Sequence, residues 1–168
     1  MRLIKGRDMF LFYEGKDMCH VLCITTNGIC KNNGAGDLVM GAGVAGAAAK
    51  KWPWLPAMAG NVVRVHGTRR HDMLDSPWDY GLANVAMPDR MDVSIMLVQT
   101  KYHYRDPSPP QRVAASIDML RIWAENSLKR SDMRFHLPFP GIGYGGLPRS
   151  LVLPWVETLP DNVFVYEL

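Results

Sequence analysis

Residues 24–52, ITTNGICKNNGAGDLVMGAGVAGAAAKKW, place a strand end, a polar loop, a glycine-rich turn and an alanine-rich helix in that order. Gly34, Gly36, Gly41 and Gly43 fall within ten residues, and residues 44–51 contain no proline. Glycine admits positive φ and lets a ligand come close to the main chain. A helix that begins at such a turn directs its unpaired N–H groups, and the positive end of its dipole, at whatever sits there. Phosphate or pyrophosphate fits that position. The plainer alternative is a flexible loop followed by a small-residue packing helix.

Neither of the two common phosphate signatures stands here in its usual setting. No G-x-x-x-x-G-K-[ST] occurs, which argues against a P-loop. Gly41-Ala42-Gly43 with Gly46 spells G-x-G-x-x-G. However, a loop of more than ten residues separates it from the strand, where a dinucleotide fold has a tight turn. Something other than a whole dinucleotide is expected there, and no cofactor is expected.

Hydrophobic patterning predicts an α/β fold over a single domain, residues 1–168. Residues 3–4 and 9–13 are short strand candidates around Gly6. Residues 19–25 form a nearly continuous apolar run, as a buried central strand does. A helix is predicted over 42–51 and stopped by Pro53. Residues 52–56, with two prolines, are not expected to continue it. Short strands are expected at 61–65, 82–87, 93–99, 134–137 and 163–166, and a polar loop at 66–79. The clearest helix covers 109–129: Pro109 and Pro110 open it, and Val113, Ile117, Leu120 and Trp123 repeat at helical spacing. A shorter helix at 151–159 is interrupted by Pro154. Alternating strands and helices imply a sheet with helices on both faces.

Composition bounds the function. The chain has 168 residues, 48% hydrophobic and 21% charged, as a single domain with a full core requires. No apolar run has the length of a membrane span, and residues 1–10 lack the apolar core of a signal peptide. A cytoplasmic location without membrane association is expected. Cys19, Cys23 and Cys30 are odd in number and loosely spaced, so reduced thiols are expected rather than disulfides. Cys19 and Cys23 face one way along a strand and His20 the other, which argues against a metal site. Net charge is +3, with the basic residues dispersed apart from Arg69-Arg70-His71 and Lys129-Arg130. That balance suits a polyanionic ligand and is too small to argue for DNA binding.

Three segments together resemble macrodomains, the ADP-ribose-binding modules. Asn27 at the strand end, followed by Met40-Gly41-Ala42-Gly43-Val44-Ala45, resembles their first ligand loop. Leu3-Ile4-Lys5-Gly6-Arg7-Asp8-Met9 resembles their opening strand and Gly-Asp, with one extra residue before Asp8. Residues 138–147, PFPGIGYGGL, resemble their second loop, which grips the diphosphate and distal ribose. The resemblance implies a three-layer α/β/α mixed sheet with ADP-ribose or an ADP-ribosylated substrate as partner, nucleic acid entering only as a modified substrate. It also implies that Asp8 and Met9 meet adenine and that Asn27 meets the distal ribose. Gly41, Ala42, Gly43 and Val44 would face the phosphates, as would Gly141, Ile142, Gly143, Tyr144 and Gly145. Tyr144 would cover the distal ribose or serve as a packed loop aromatic.

Residues 98–106, VQTKYHYRD, resemble the T-K-x-H-[WY]-R stretch of the DarG-type branch, which reverses ADP-ribosylation of DNA, and the matching T-K of the terminal ADP-ribose protein glycohydrolase. The resemblance implies a catalytic Lys101. A lysine attacks or stabilises an anomeric carbon only if its pKa is lowered; otherwise Lys101 simply meets a pyrophosphate. The acidic partner of the second loop is missing here, since Pro148-Arg149 stand where acid and tryptophan fall. Asp37 is the nearest substitute as a second catalytic residue, or else a turn residue. Removal of ADP-ribose from nucleic acid or protein, dephosphorylation of ADP-ribose-1″-phosphate and binding without catalysis all stay open. From a different class, the alternative is a nucleic-acid-binding α/β module using exposed Trp78, Tyr102 and Tyr104.

Overall fold

The computed structural model describes residues 1–11, 18–128 and 133–167. The basic pair Lys129-Arg130 and the last two residues of the 9–13 strand expectation lie outside them. Six strands make the main sheet: β1 (Arg2–Lys5), β2 (Cys19–Thr26), β5 (Leu82–Ala86), β6 (Val93–Gln99), β7 (Met133–Pro138) and β8 (Val163–Glu167). They lie in the order β1-β8-β7-β2-β6-β5, and β5 alone runs antiparallel to its neighbour. Two short strands, β3 (Thr68–Arg69) and β4 (Trp78–Asp79), pair separately. The helices are α1 (Gly43–Lys51), α2 (Leu55–His66), α3 (Pro110–Leu128) and α4 (Arg149–Val156).

The sheet is a mixed α/β/α sandwich because β2 is apolar on both sides. Leu22 and Ile24 point into a core with Ala48 of α1 and Leu55, Ala59 and Val63 of α2. Val21 and Cys23 point into another with Val113, Ile117 and Leu120 of α3 and Val152 of α4. Successive strand residues alternate between faces, so a run apolar at every position needs cover on both. Each fully buried leucine or isoleucine of these layers contributes about 1.5–3 kcal/mol.

Two sequence expectations fail. Residues 61–65 are not a strand but the second half of α2. Val62, Val63 and Val65 favour β structure, yet Leu55, Ala59 and Val63 recur every four residues and are buried. Pro56 sits in the first turn, where its missing N–H is no loss. Residues 9–11 form a 3-10 turn rather than a strand. Asp8 drives it: its Oδ1 accepts the Phe10 N–H at 2.9 Å and its carbonyl accepts the Leu11 N–H at 3.2 Å. The 66–79 loop carries the β3–β4 ladder. Helix α4 starts at Arg149 and absorbs Pro154 near its end, where i−4 is Ser150, so a single helical hydrogen bond is lost.

Candidate functional site

The parallel strands β1, β2, β6, β7 and β8 all end on one side of the sheet, and a cleft of about 770 Å³ opens beyond those ends. Ligands of open α/β sheets collect there, and the volume is that of a small-molecule site. Its walls are two glycine-rich loops.

The first loop leaves β2 at Asn27, which is buried and lines the cleft. Its carboxamide fixes the loop's path: Nδ2 donates to Val39 O at 2.7 Å, and Oδ1 accepts the Ile29 N–H at 2.8 Å. The outer part of the loop is seated on α2. A Cβ at Gly60 would come within 2.1 Å of Gly36 O, so only glycine permits this approach. Arg64 donates to the carbonyls of Gly36 and Ala35 at 2.9 and 3.1 Å. The loop then delivers Gly41, Ala42, Gly43 and Val44 to the cleft. Ala42 caps α1 in an extended conformation with no side-chain cap, Gly43 turns at φ +56°, and the first turn holds no acidic residue. The leading N–H groups of α1 are therefore available to an anion.

The second loop follows β7 and supplies Gly141, Ile142, Gly143, Tyr144 and Gly145 to the opposite wall. Positive φ at Gly141 (74°), Gly143 (58°) and Gly146 (75°) bends it, and a 3-10 turn over Gly143–Gly145 starts at Ile142, again without a side-chain cap. Tyr144 is 78% exposed, and its ring comes within 3.4 Å of where a Gly43 Cβ would stand. The two walls therefore meet at this pair. Lys101, just past β6, extends its ammonium to the Tyr144 carbonyl. Burial lowers the Lys101 pKa, and Asp106 pulls it back up.

The end of the cleft beside β1 and β8 has a different chemistry. Asp8, Met9, Phe10, Tyr166 and Glu167 line it. Arg149 grips the Glu167 carboxylate with Nε at 2.6 Å and Nη2 at 3.2 Å and holds its pKa below the usual range. Behind Tyr166 runs a buried polar chain: its hydroxyl meets His136 Nδ1 at 2.8 Å, and His136 Nε2 meets His20 Nδ1 at 2.9 Å.

No family model matches the chain, and no curated protein matches it. Solved structures do. The chain is similar to the macrodomain of Thermus aquaticus DarG, with 23% identity, 99% of this chain and 97% of that one covered, and a TM-score of 0.66. It is similar to the macrodomain of Mycobacterium tuberculosis DarG over 99% and 97% of the two chains, with 19% identity and a TM-score of 0.65. The chain has the macrodomain fold. It also spans 41% of the longer Thermosipho africanus DarTG, solved in complex with ADP-ribose, with 98% of this chain covered, 19% identity and a TM-score of 0.65.

Within this macrodomain fold, every ligand-binding residue expected from the sequence lines one cleft, and so does Lys101. Asp37 does not. Its Oδ2 accepts from Asn33 Nδ2 at 3.0 Å, its N–H donates to Asn33 Oδ1 at 3.1 Å, and its carbonyl accepts the Lys31 N–H at 2.7 Å. It closes the outer turn of the first loop, away from the cleft. Among the described residues, the carboxylates that line the cleft are Asp8 and Glu167, at the end away from Lys101. Among them, too, no cluster of His, Cys, Asp or Glu can hold a metal, and no helix is long and apolar enough to cross a membrane.

The aromatic patch weighed for nucleic acid is largely engaged. Trp78 and Tyr102 are half-buried under Arg69 and Arg70. Arg70 in turn pairs with Asp72 and Asp79. Tyr104 alone of the three is exposed, and it lines the cleft.

Sequence reasoning missed Thr25, Thr26, Thr100, Phe139, Tyr166 and Glu167 as cleft residues. All lie at or just past the carboxyl ends of parallel strands, and that position is the signal that finds them.

Proposed function

We propose that this macrodomain-fold protein binds ADP-ribose, or the ADP-ribose moiety of a modified substrate. The carrying observation is the facing pair of uncapped turns. Helix α1 opens at Gly43 and the 3-10 turn at Gly143, on opposite walls of one cleft and with no side-chain cap on either. A diphosphate between them accepts main-chain N–H groups from both sides. The acceptor Asp8 at one end suits the exocyclic amine of adenine, and Asn27 and Lys101 at the other suit a second ribose. DarTG, which shares the fold, was solved in complex with ADP-ribose. NAD fits worse, because a nicotinamide on the distal ribose crowds the Gly41–Gly43 turn.

Hydrolysis is the second reading, and Lys101 favours it: a partly desolvated amine at the distal end, with its pKa lowered. The substrate would be ADP-ribose on a nucleic acid or protein, or ADP-ribose-1″-phosphate, met in the cytoplasm. With no carboxylate among the described lining residues at that end, turnover is slow. Thermal shift with ADP-ribose, NAD and short oligonucleotides tests the ligand class. ADP-ribose at 100 times its dissociation constant adds about 2.7 kcal/mol, whereas stabilisation by oligonucleotides alone points to the nucleic-acid module. Product assays on ADP-ribosylated DNA, ADP-ribosylated protein and ADP-ribose-1″-phosphate identify the bond cleaved.

A further inference from the structure

Ser108 is 2% exposed, and its hydroxyl has no hydrogen-bond partner among the described residues. Buried hydroxyls are nearly always paired, because leaving one unpaired forfeits its bonds to water without replacement. This one lies against the second loop: a Cβ at Gly145 would stand 2.7 Å from Ser108 Oγ. The Ser108 N–H also holds that loop, donating to Gly145 O at 2.8 Å. One residue earlier, the Tyr144 carbonyl is occupied by the Lys101 ammonium. The Gly145 N–H is turned back to Ile142 O at 3.0 Å rather than into the cleft. The loop thus holds the cleft's distal cation on its own main chain, next to a hydroxyl without a partner among the described residues.

We infer that Ser108 is a positioning residue of the second loop, acting by exchange of one hydrogen bond. The inference rests on the anion-binding reading of the cleft. An anionic ligand takes the Lys101 ammonium. The Tyr144 carbonyl, released by Lys101, turns and accepts from the Ser108 hydroxyl instead. The carbonyl keeps a donor, the hydroxyl gains an acceptor and the ammonium gains the anion, while the Gly145 N–H, carried on the same peptide, leaves Ile142 O and turns towards the anion. Glycine at 145 lets the Tyr144–Gly145 peptide rotate and leaves Oγ its space.

The Ser108→Ala variant tests this, because the exchange predicts opposite signs for two measurements. The midpoint of thermal unfolding of the free protein rises by about 2–4 °C, since an unpaired buried polar group is gone. Affinity for ADP-ribose and for inorganic pyrophosphate, read by calorimetry, falls about 5- to 10-fold, since the released carbonyl finds no donor. A residue that merely packs the loop moves both quantities the same way or neither. Unchanged affinity for pyrophosphate and ADP-ribose, or a lowered midpoint in the free protein, overturns the inference. If the wild type binds pyrophosphate but not ADP-ribose, the ADP-ribose reading fails and the pyrophosphate arm decides on Ser108. If it binds neither, both fall.

Discussion

The Lys101 ammonium donates to the backbone carbonyl of Tyr144, tying the end of β6 to the second glycine-rich loop. The Tyr144 ring packs against Gly43 on the other wall. One aromatic residue therefore joins both walls and the one lysine that lines the cleft among the described residues.

Replacing Lys101 by Ala is predicted to weaken ADP-ribose binding and kcat/KM together, by about 1.5–3 kcal/mol, the loss of one charge-assisted hydrogen bond. Calorimetry beside single-turnover rates separates the roles. A fall of about 100-fold in turnover with affinity retained assigns Lys101 to the chemical step instead. Asp37→Ala, the companion variant, leaves turnover unchanged, because the Asp37 side chain is spent on Asn33.

Gly43→Val is predicted to abolish binding while most of the fold survives. Gly43 sits at φ +56°, where a β-branched residue is strained, and its main chain opens α1 at the proposed anion site. Circular dichroism establishes folding and calorimetry reads affinity. Wild-type affinity in a folded variant removes this turn from the site.

Gly60→Ala probes the seat of the first loop. The added methyl meets Gly36 O at 2.1 Å, and backbone cannot give way as a flexible side chain does. The expected cost is about 1–3 kcal/mol, read from denaturant midpoints at an unchanged slope. A neutral outcome means that the loop does not rest on α2 as described.

Stability is predicted to fall on mild acidification. Burial, then His20 and then Arg134 depress the His136 pKa from its ordinary 6.5 to about 4. Between those values the unfolded chain binds a proton that the folded chain refuses. Unfolding free energy therefore drops as pH falls from 6.5 towards 4, by up to about 3 kcal/mol. Thermal midpoints across this window should decline in the wild type and less steeply in His136→Gln. Equal slopes contradict the assignment.

The two glycine-rich loops that line the cleft were more legible in the sequence than parts of the fold, for physical reasons. Gly41–Gly43 and Gly141–Gly145 could be read because positive φ and close main-chain approach demand glycine locally, whatever surrounds them. Asp37 was misplaced for the reason that 61–65 was misread as a strand: three valines concealed a helix whose Gly60 and Arg64 fasten the outer loop. Without α2 in place, nothing in the sequence says that Asp37 turns towards Asn33. Glu167 was missed because its place in the cleft depends on β8 lying between β1 and β7, a strand order that local patterning does not encode. The 3-10 turn at Met9–Leu11 depends on a single Asp8 side-chain bond overriding apolar residues that favour a strand.

Calorimetric titration of the purified protein with ADP-ribose, with NAD in parallel, tests the central claim most directly. ADP-ribose is predicted to bind with measurable heat and NAD much more weakly, because a nicotinamide on the distal ribose crowds the Gly41–Gly43 turn. An absence of heat with millimolar ADP-ribose, or equal affinity for NAD, contradicts the account.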